Sequence, residues 1–150
     1  MRMTEAQLAN LLQRNGTPAA PAKVDTSAPA FALLPDIVLD LPTPISVNRL
    51  WRVTKAGHVI KSQAYKQWIK KSDAMLLELG QLKGVKSIVG KFTALIVVKR
   101  CNLDIDNANK GVLDFLQSRN FILNDKFCEE VTARWGDAPT GCRVTVKALP

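Results

Sequence analysis

Phe92-Thr93-Ala94-Leu95-Ile96-Val97-Val98-Lys99-Arg100-Cys101-Asn102-Leu103-Asp104-Ile105-Asp106-Asn107-Ala108-Asn109-Lys110-Gly111-Val112-Leu113-Asp114-Phe115-Leu116 carries most of what this 150-residue chain says about its fold. Residues 92–99 are apolar on both alternating sets, the pattern of a central strand covered on both faces. Ala108, Val112, Phe115 and Leu116 then recur at helical spacing and mark the inner side of a helix.

Outward from that core, residues 36–41 form an extended run ended by Pro42 and Pro44. Residues 48–53 and 59–61 flank a Lys55-Ala56-Gly57 turn and predict a hairpin with basic outward residues. Ser62 is placed to cap the longest helix, over 63–79, with Gly80 at its end. Tyr65, Trp68, Ile69, Ser72, Met75, Leu76 and Leu79 form its stripe, while Lys66, Lys70 and Lys71 lie opposite. Residues 127–135 and 142–149 alternate around the turn 136–141, which predicts a C-terminal hairpin. The expected class is α+β, a mixed β-sheet with two main helices packed against it.

The first 35 residues read differently. Thr4 and Gln7 form a capping-box pair and Leu8, Leu11 and Leu12 a stripe, so residues 1–16 predict a short N-terminal helix. Residues 17–35 are rich in Pro, Ala, Ser and Thr, the composition of a flexible linker. No apolar run reaches the eighteen or so residues a membrane span needs, and no signal-peptide segment opens the chain. The expectation is a cytoplasmic protein that does not engage a membrane. Cys101, Cys128 and Cys142, with His58 as the one histidine, match neither a disulfide framework nor a zinc pattern and read as small apolar residues.

Charge points to chemistry. The formal net charge is +8, yet six of the thirteen acids (Asp104, Asp106, Asp114, Asp125, Glu129, Glu130) fall between residues 104 and 130. Crowded carboxylates repel by roughly 1–4 kcal/mol per close pair unless a cation relieves them. In a strand, Asp104 and Asp106 would present two carboxylates on one side, and hard cations such as magnesium take oxygen ligands. Asp106-Asn107 can cap the following helix, Lys110 lies about one turn inside it, and Asp114 one turn further. Asp125, beyond the helix, could close the site from another side. On spacing alone, Asp104-x-Asp106 also fits a cap with a solvated neighbour, and Asp114 a plain ion pair with Lys110. Residues 49–100 hold twelve Lys/Arg against two acids, a basic arm suited to phosphates beside the acidic stretch.

Asp104-x-Asp106-Asn107-x-x-Lys110-x-x-x-Asp114-x-Leu116 and then Asn124-Asp125 resemble the RusA family of Holliday-junction resolvases. Leu41-Pro42-x-Pro44-x-Ser46-x-Asn48-Arg49 is similar to that family's Pro-rich opening motif, and the likeness spans roughly residues 36–149. Departures are Asn124 where the family often has Asp, and Ile45 where it has a second Pro.

The resemblance implies an endonuclease domain over 36–150 and a homodimer that makes paired symmetrical nicks in four-way DNA junctions. The cofactor it implies is Mg2+, with Mn2+ as the substitute. Asp104, Asp106 and Asp125 are the expected metal ligands, Lys110 joins them as catalytic, and Asp114 and Asn107 are expected to support them. Expected DNA contacts are Asn48, Arg49, Arg52, Lys61, Lys66, Lys70, Lys99 and Arg100. The alternative is a junction-binding protein without useful catalysis. A metal-dependent nucleotide-sugar transferase fits less well, since no glycine-rich nucleotide loop is present.

Overall fold

The computed structural model describes residues 34–150. The helix expected within 1–16 and nearly all of the linker expected over 17–35 lie outside the described residues. In chain order the main elements are β1 (Ile37–Leu41), β2 (Trp51–Val53), β3 (Val59–Lys61), α1 (Gln63–Glu78), β4 (Phe92–Val98), α2 (Asn109–Ser118), β5 (Cys128–Trp135) and β6 (Cys142–Ala148). The fold is α+β: a mixed four-stranded sheet, two helices and a separate two-stranded ladder of β2 with β3.

The large sheet runs β1-β6-β4-β5. Strand β4 pairs antiparallel with β6 on one edge and parallel with β5 on the other. The hairpin expected between residues 127–135 and 142–149 therefore does not form, because β4 lies between its two strands. The reason is the both-sided hydrogen-bonding demand of an internal strand. A parallel neighbour needs a crossover, which α2 and its flanking turns provide. The chain must then pass over the end of β4 to reach the other edge. Gly136 donates its N–H to the Val98 carbonyl (3.0 Å), and Lys99 donates to the Gly141 carbonyl (2.9 Å), so the crossing segment is tied to that strand end. It runs too close for side chains. A Cβ on Gly136 would meet Val97 Cγ1 at 2.8 Å, and Gly141, at φ +118°, would press one to 2.6 Å from the Thr43 backbone nitrogen.

One face of the sheet closes the core. Leu39, Leu41, Phe92, Ile96, Val98, Val144 and Val146 pack with Tyr65, Trp68 and Leu76 of α1 and Val112, Phe115 and Leu116 of α2. The expected helical stripes hold at Tyr65, Trp68, Ser72 and Leu76, while Leu79 is exposed. Coverage of β4 is one-sided: Thr93, Leu95 and Val97 on its other face are only half-buried. The apolar reading of the cysteines suits buried Cys142, whose thiol is pushed up to about 12 by burial, but Cys101 is exposed. No helix among the described residues is long and apolar enough to cross a membrane.

Aromatic side chains lock the helices together. Tyr65 stacks on Trp68 (5.9 Å between centroids), and Trp68 meets Phe115 edge-on (5.3 Å). Ser62 caps α1 by accepting from the Tyr65 N–H, and its hydroxyl donates to the Arg49 carbonyl (2.6 Å). The start of α1 is thereby bound to the segment that precedes β2.

The crossing segment makes a testable demand. Gly141→Ala combines a disfavoured φ with a backbone clash, so it should cost upwards of about 2 kcal/mol. Urea denaturation checks this, and an unchanged midpoint would contradict the crossing geometry.

Candidate functional site

The N-terminal end of α2 gathers residues from several segments because of one small residue. Gly111 lets Leu50 approach: a Cβ there would lie 3.0 Å from Leu50 Cδ2. Leu50 is fully buried and directly follows the 3-10 turn Val47–Arg49, which packs against α2. Ser46 steadies that turn by accepting from the Asn48 N–H, with Arg49 N–H bonded to its carbonyl (2.8 Å). Tyr65, from α1, donates its hydroxyl proton to the Gly111 carbonyl at 2.9 Å. Burial pushes this phenol up to about 12, which keeps it a donor through the neutral range.

Two groups of candidate residues result. The first surrounds a cleft of about 390 Å³ in which Asp104 and Asn107 face Asn48 and Arg49, with Ser46 and Cys101 also on its wall. The second is an ion cluster. Lys110 Nζ lies 2.8 Å from Asp114 Oδ1 and 3.3 Å from Asp125 Oδ2. The lysine ammonium is held above its ordinary pKa, chiefly by its hydrogen bond to Asp114, with Asp125 adding to it. Asp125 opens the 3-10 turn Asp125–Phe127, which packs against α2, and the Asn124 side chain caps that turn by accepting from the Lys126 N–H. A short parallel bridge between Ile88 and Ile122 pins the chain just upstream.

Asp104 and Asp106 are not in a strand. β4 ends at Val98, and Asp104 precedes a 3-10 turn, Ile105–Asn107, that contains Asp106 and packs against β5. Their relation is that of a tight turn, since Asn107 donates its N–H to the Asp104 carbonyl (2.9 Å). Both carboxylates are exposed. Neither Asp106 nor Asn107 caps α2, whose first turn starts from Ala108 without a side-chain cap.

Does a hard cation fit these residues? The donors are carboxylate and amide oxygens, the set magnesium takes. At the first residue of α2, Asn109 Oδ1 is buried without a protein donor, and an acceptor left bare in this way costs about 1–3 kcal/mol. A cation or its water would satisfy such an oxygen. As the side chains stand, no three Asp, Glu, His or Cys groups among the described residues surround a single point, and Asp125 is engaged by Lys110. The chemistry of the donors fits, while their side chains do not converge on one point among the described residues.

The expected DNA contacts are dispersed. Asn48 and Arg49 share the cleft with Asp104, and Lys61 shares another with Asp114. Arg52, Lys66, Lys70, Lys99 and Arg100 are all exposed and line neither cleft. Arg100 lies over the Trp135 ring at 4.7 Å.

Gln117 was not among the expected site residues. Its side-chain oxygen accepts the Asp125 N–H at 2.9 Å. One face of α2 therefore offers Lys110, Asp114 and Gln117 at i, i+4 and i+7, and two of them hold Asp125 directly. The i+7 spacing was visible in the sequence; the turn that brings Asp125 back to it was not.

No family model matches this chain, and no curated protein matches it either.

Removing the Gln117 acceptor should free the Asp125 amide. In Gln117→Ala that amide is expected to exchange with solvent on the order of tenfold faster, the equivalent of losing one ordinary hydrogen bond. Hydrogen exchange followed by NMR measures it, and an unchanged rate would mean the amide is held some other way.

Proposed function

We propose that the chain is a metal-dependent endodeoxyribonuclease for branched DNA, a Holliday-junction resolvase of the RusA kind that works as a cytoplasmic homodimer. The observation that carries this reading is the meeting, around one end of α2, of an acidic group and a basic group drawn from distant segments. Asp104 and Asn107 face Asn48 and Arg49, and Lys110 stands between Asp114 and Asp125. Hydrolysis of a phosphodiester needs negative charge for a cation and positive charge for the phosphate, and both are present around this end of the helix.

Asp104, Asp106 and Asp125 would hold magnesium or manganese, which when bound supplies an activated water and neutralises the phosphoryl oxygens. Arg49 and Asn48, fixed by Leu50 beneath them, would grip the backbone on the far side of the cleft. Lys110 has two acidic partners and is half-exposed, so it can exchange one of them for a phosphate oxygen. Asp114, the closer partner, would orient the ammonium. Two nicks on a two-fold symmetric junction call for two active sites, which a symmetric homodimer would provide. A junction-binding protein without catalysis is the alternative, favoured by Asn124 in place of an acid and by the present engagement of Asp125 with lysine.

Asp104→Asn and Asp106→Asn keep shape and remove a charged ligand. Each should lower magnesium-dependent cleavage of a synthetic four-way junction by orders of magnitude, with binding in gel-shift assays kept or improved. Near wild-type cleavage by either variant would remove that residue from the site. Lys110→Ala separates two roles. If the lysine stabilises charge at phosphorus, single-turnover cleavage should fall by roughly 10²–10³ in a folded, DNA-binding protein. An unchanged rate would leave it as a surface pair worth a few tenths of a kcal/mol.

A further inference from the structure

A second cleft, of about 350 Å³, shares Asp114 and Gln117 with the ion cluster and is also walled by Trp51, Lys61, Tyr65, Ile69 and Ser118. Of its walls, the hydrolytic scheme above uses only Asp114. Its wall offers two aromatic rings, an aliphatic side chain, one ammonium, one carboxylate, one amide and one hydroxyl.

Trp51 is the feature that asks for an occupant. It is 42% exposed and packs on one other ring. Its ring meets Tyr65 edge-on, 6.2 Å between centroids at 68°, and Tyr65 is itself buried and hydrogen-bonded to the Gly111 carbonyl. The indole is therefore braced, through one phenol, against the helix that bears Lys110. Across the β2–β3 ladder Trp51 pairs with Lys61, and Val53 with Val59. Directly paired residues share a face of an antiparallel ladder, as do residues two apart. Trp51, Val53, Val59 and Lys61 thus form one face, and both valines are 66% exposed. An apolar aromatic face that ends in an ammonium, open to solvent, marks a binding surface rather than a core.

In sequence the tryptophans and Tyr65 do not interleave with the basic residues as a stacking platform would, but this ladder brings an indole and a lysine together in space. That is the arrangement of a nucleic-acid stacking platform, in which a ring takes a base and a cation takes the adjoining phosphate. Asp114 and Gln117 on the opposite wall supply an acceptor and an amide for the edge of a base. With Oε1 of Gln117 committed to the Asp125 N–H, the amide nitrogen is the end left for a ligand.

We propose that this cleft receives one unstacked nucleobase of the bound DNA, laid on Trp51, with Lys61 on its phosphate and Asp114 and Gln117 along its edge. The proposal rests on the nuclease reading and adds to it a base-binding subsite. Because Asp114 and Gln117 also touch Lys110 and Asp125, a seated base would bear on the residues that position the reacting groups. Branched DNA is the natural donor of such a base, since pairs at the branch point are the easiest to open.

Photocrosslinking tests this on the intact chain. A four-way junction carrying 5-iodouracil at the branch point, and a single-stranded oligonucleotide carrying the same base, would be irradiated with the protein in calcium to prevent turnover. The adduct would be mapped by mass spectrometry. The expected adduct is on Trp51, and Trp51→Ala should bind both DNAs roughly ten- to hundredfold more weakly, the range for losing one base–aromatic stack. Trp51→Phe should restore most of the affinity. Binding with adducts elsewhere and none on Trp51 would overturn the base subsite while leaving the nuclease reading intact. Absence of binding to either DNA would overturn both. Since the adduct is sought on the wild-type chain, the crosslink decides the matter even if Trp51→Ala folds poorly.

Discussion

The close approach at Gly111 is the constraint on which the functional end of this molecule depends. Leu50 packs tightly against α2 at a position where a Cβ would lie 3.0 Å from its Cδ2 methyl, and Tyr65 completes the joint from α1 with a hydrogen bond to the same residue's carbonyl. Three segments far apart in sequence are fixed to one another there. The turn bearing Asn48 and Arg49, the helix bearing Lys110 and the hairpin bearing Trp51 all take their positions from that contact. A Cβ at 111 would press on the Leu50 methyl at 3.0 Å and touch the Tyr65 ring at 3.5 Å, so the Leu50 side chain would have to give by a few tenths of an ångström.

The second constraint is the place of β4. Its backbone donors and acceptors are satisfied along both edges, one partner being parallel and the other antiparallel. The parallel partner forces a crossover, and that crossover is α2 with its flanking turns. The candidate site is therefore built into the connection that the sheet topology requires. The return to the far edge over the end of β4 is made possible by Gly136 and Gly141.

Sequence patterning revealed the elements well and their assembly less well. The strand at Phe92–Val98, the capped helix after Ser62 and the inner face of Ala108, Val112, Phe115 and Leu116 all follow from periodicity, which burial enforces locally. The mistaken C-terminal hairpin had correct strands and the wrong neighbours, because alternation says which face is buried but not which strand lies alongside. In the candidate site, the approach of Lys110 to Asp114 follows from helical spacing. The turn geometry of Asp104 and Asp106, the hold of Gln117 on Asp125, and the bracing of Trp51 by Tyr65 depend on chain reversals and long-range contacts, for which short-range spacing carries no signal.

Charge and shape converge on one proposal, that an acidic group beside a basic one at the end of α2 cuts branched DNA with the help of a divalent cation. It is tested most directly by incubating the wild-type chain with a synthetic four-way junction, in magnesium and separately in EDTA, read on denaturing and native gels. Paired, symmetrically placed nicks are expected in magnesium, and binding without cleavage in EDTA. A chain that neither binds nor cuts the junction, or one whose cutting is indifferent to EDTA, would contradict the proposal.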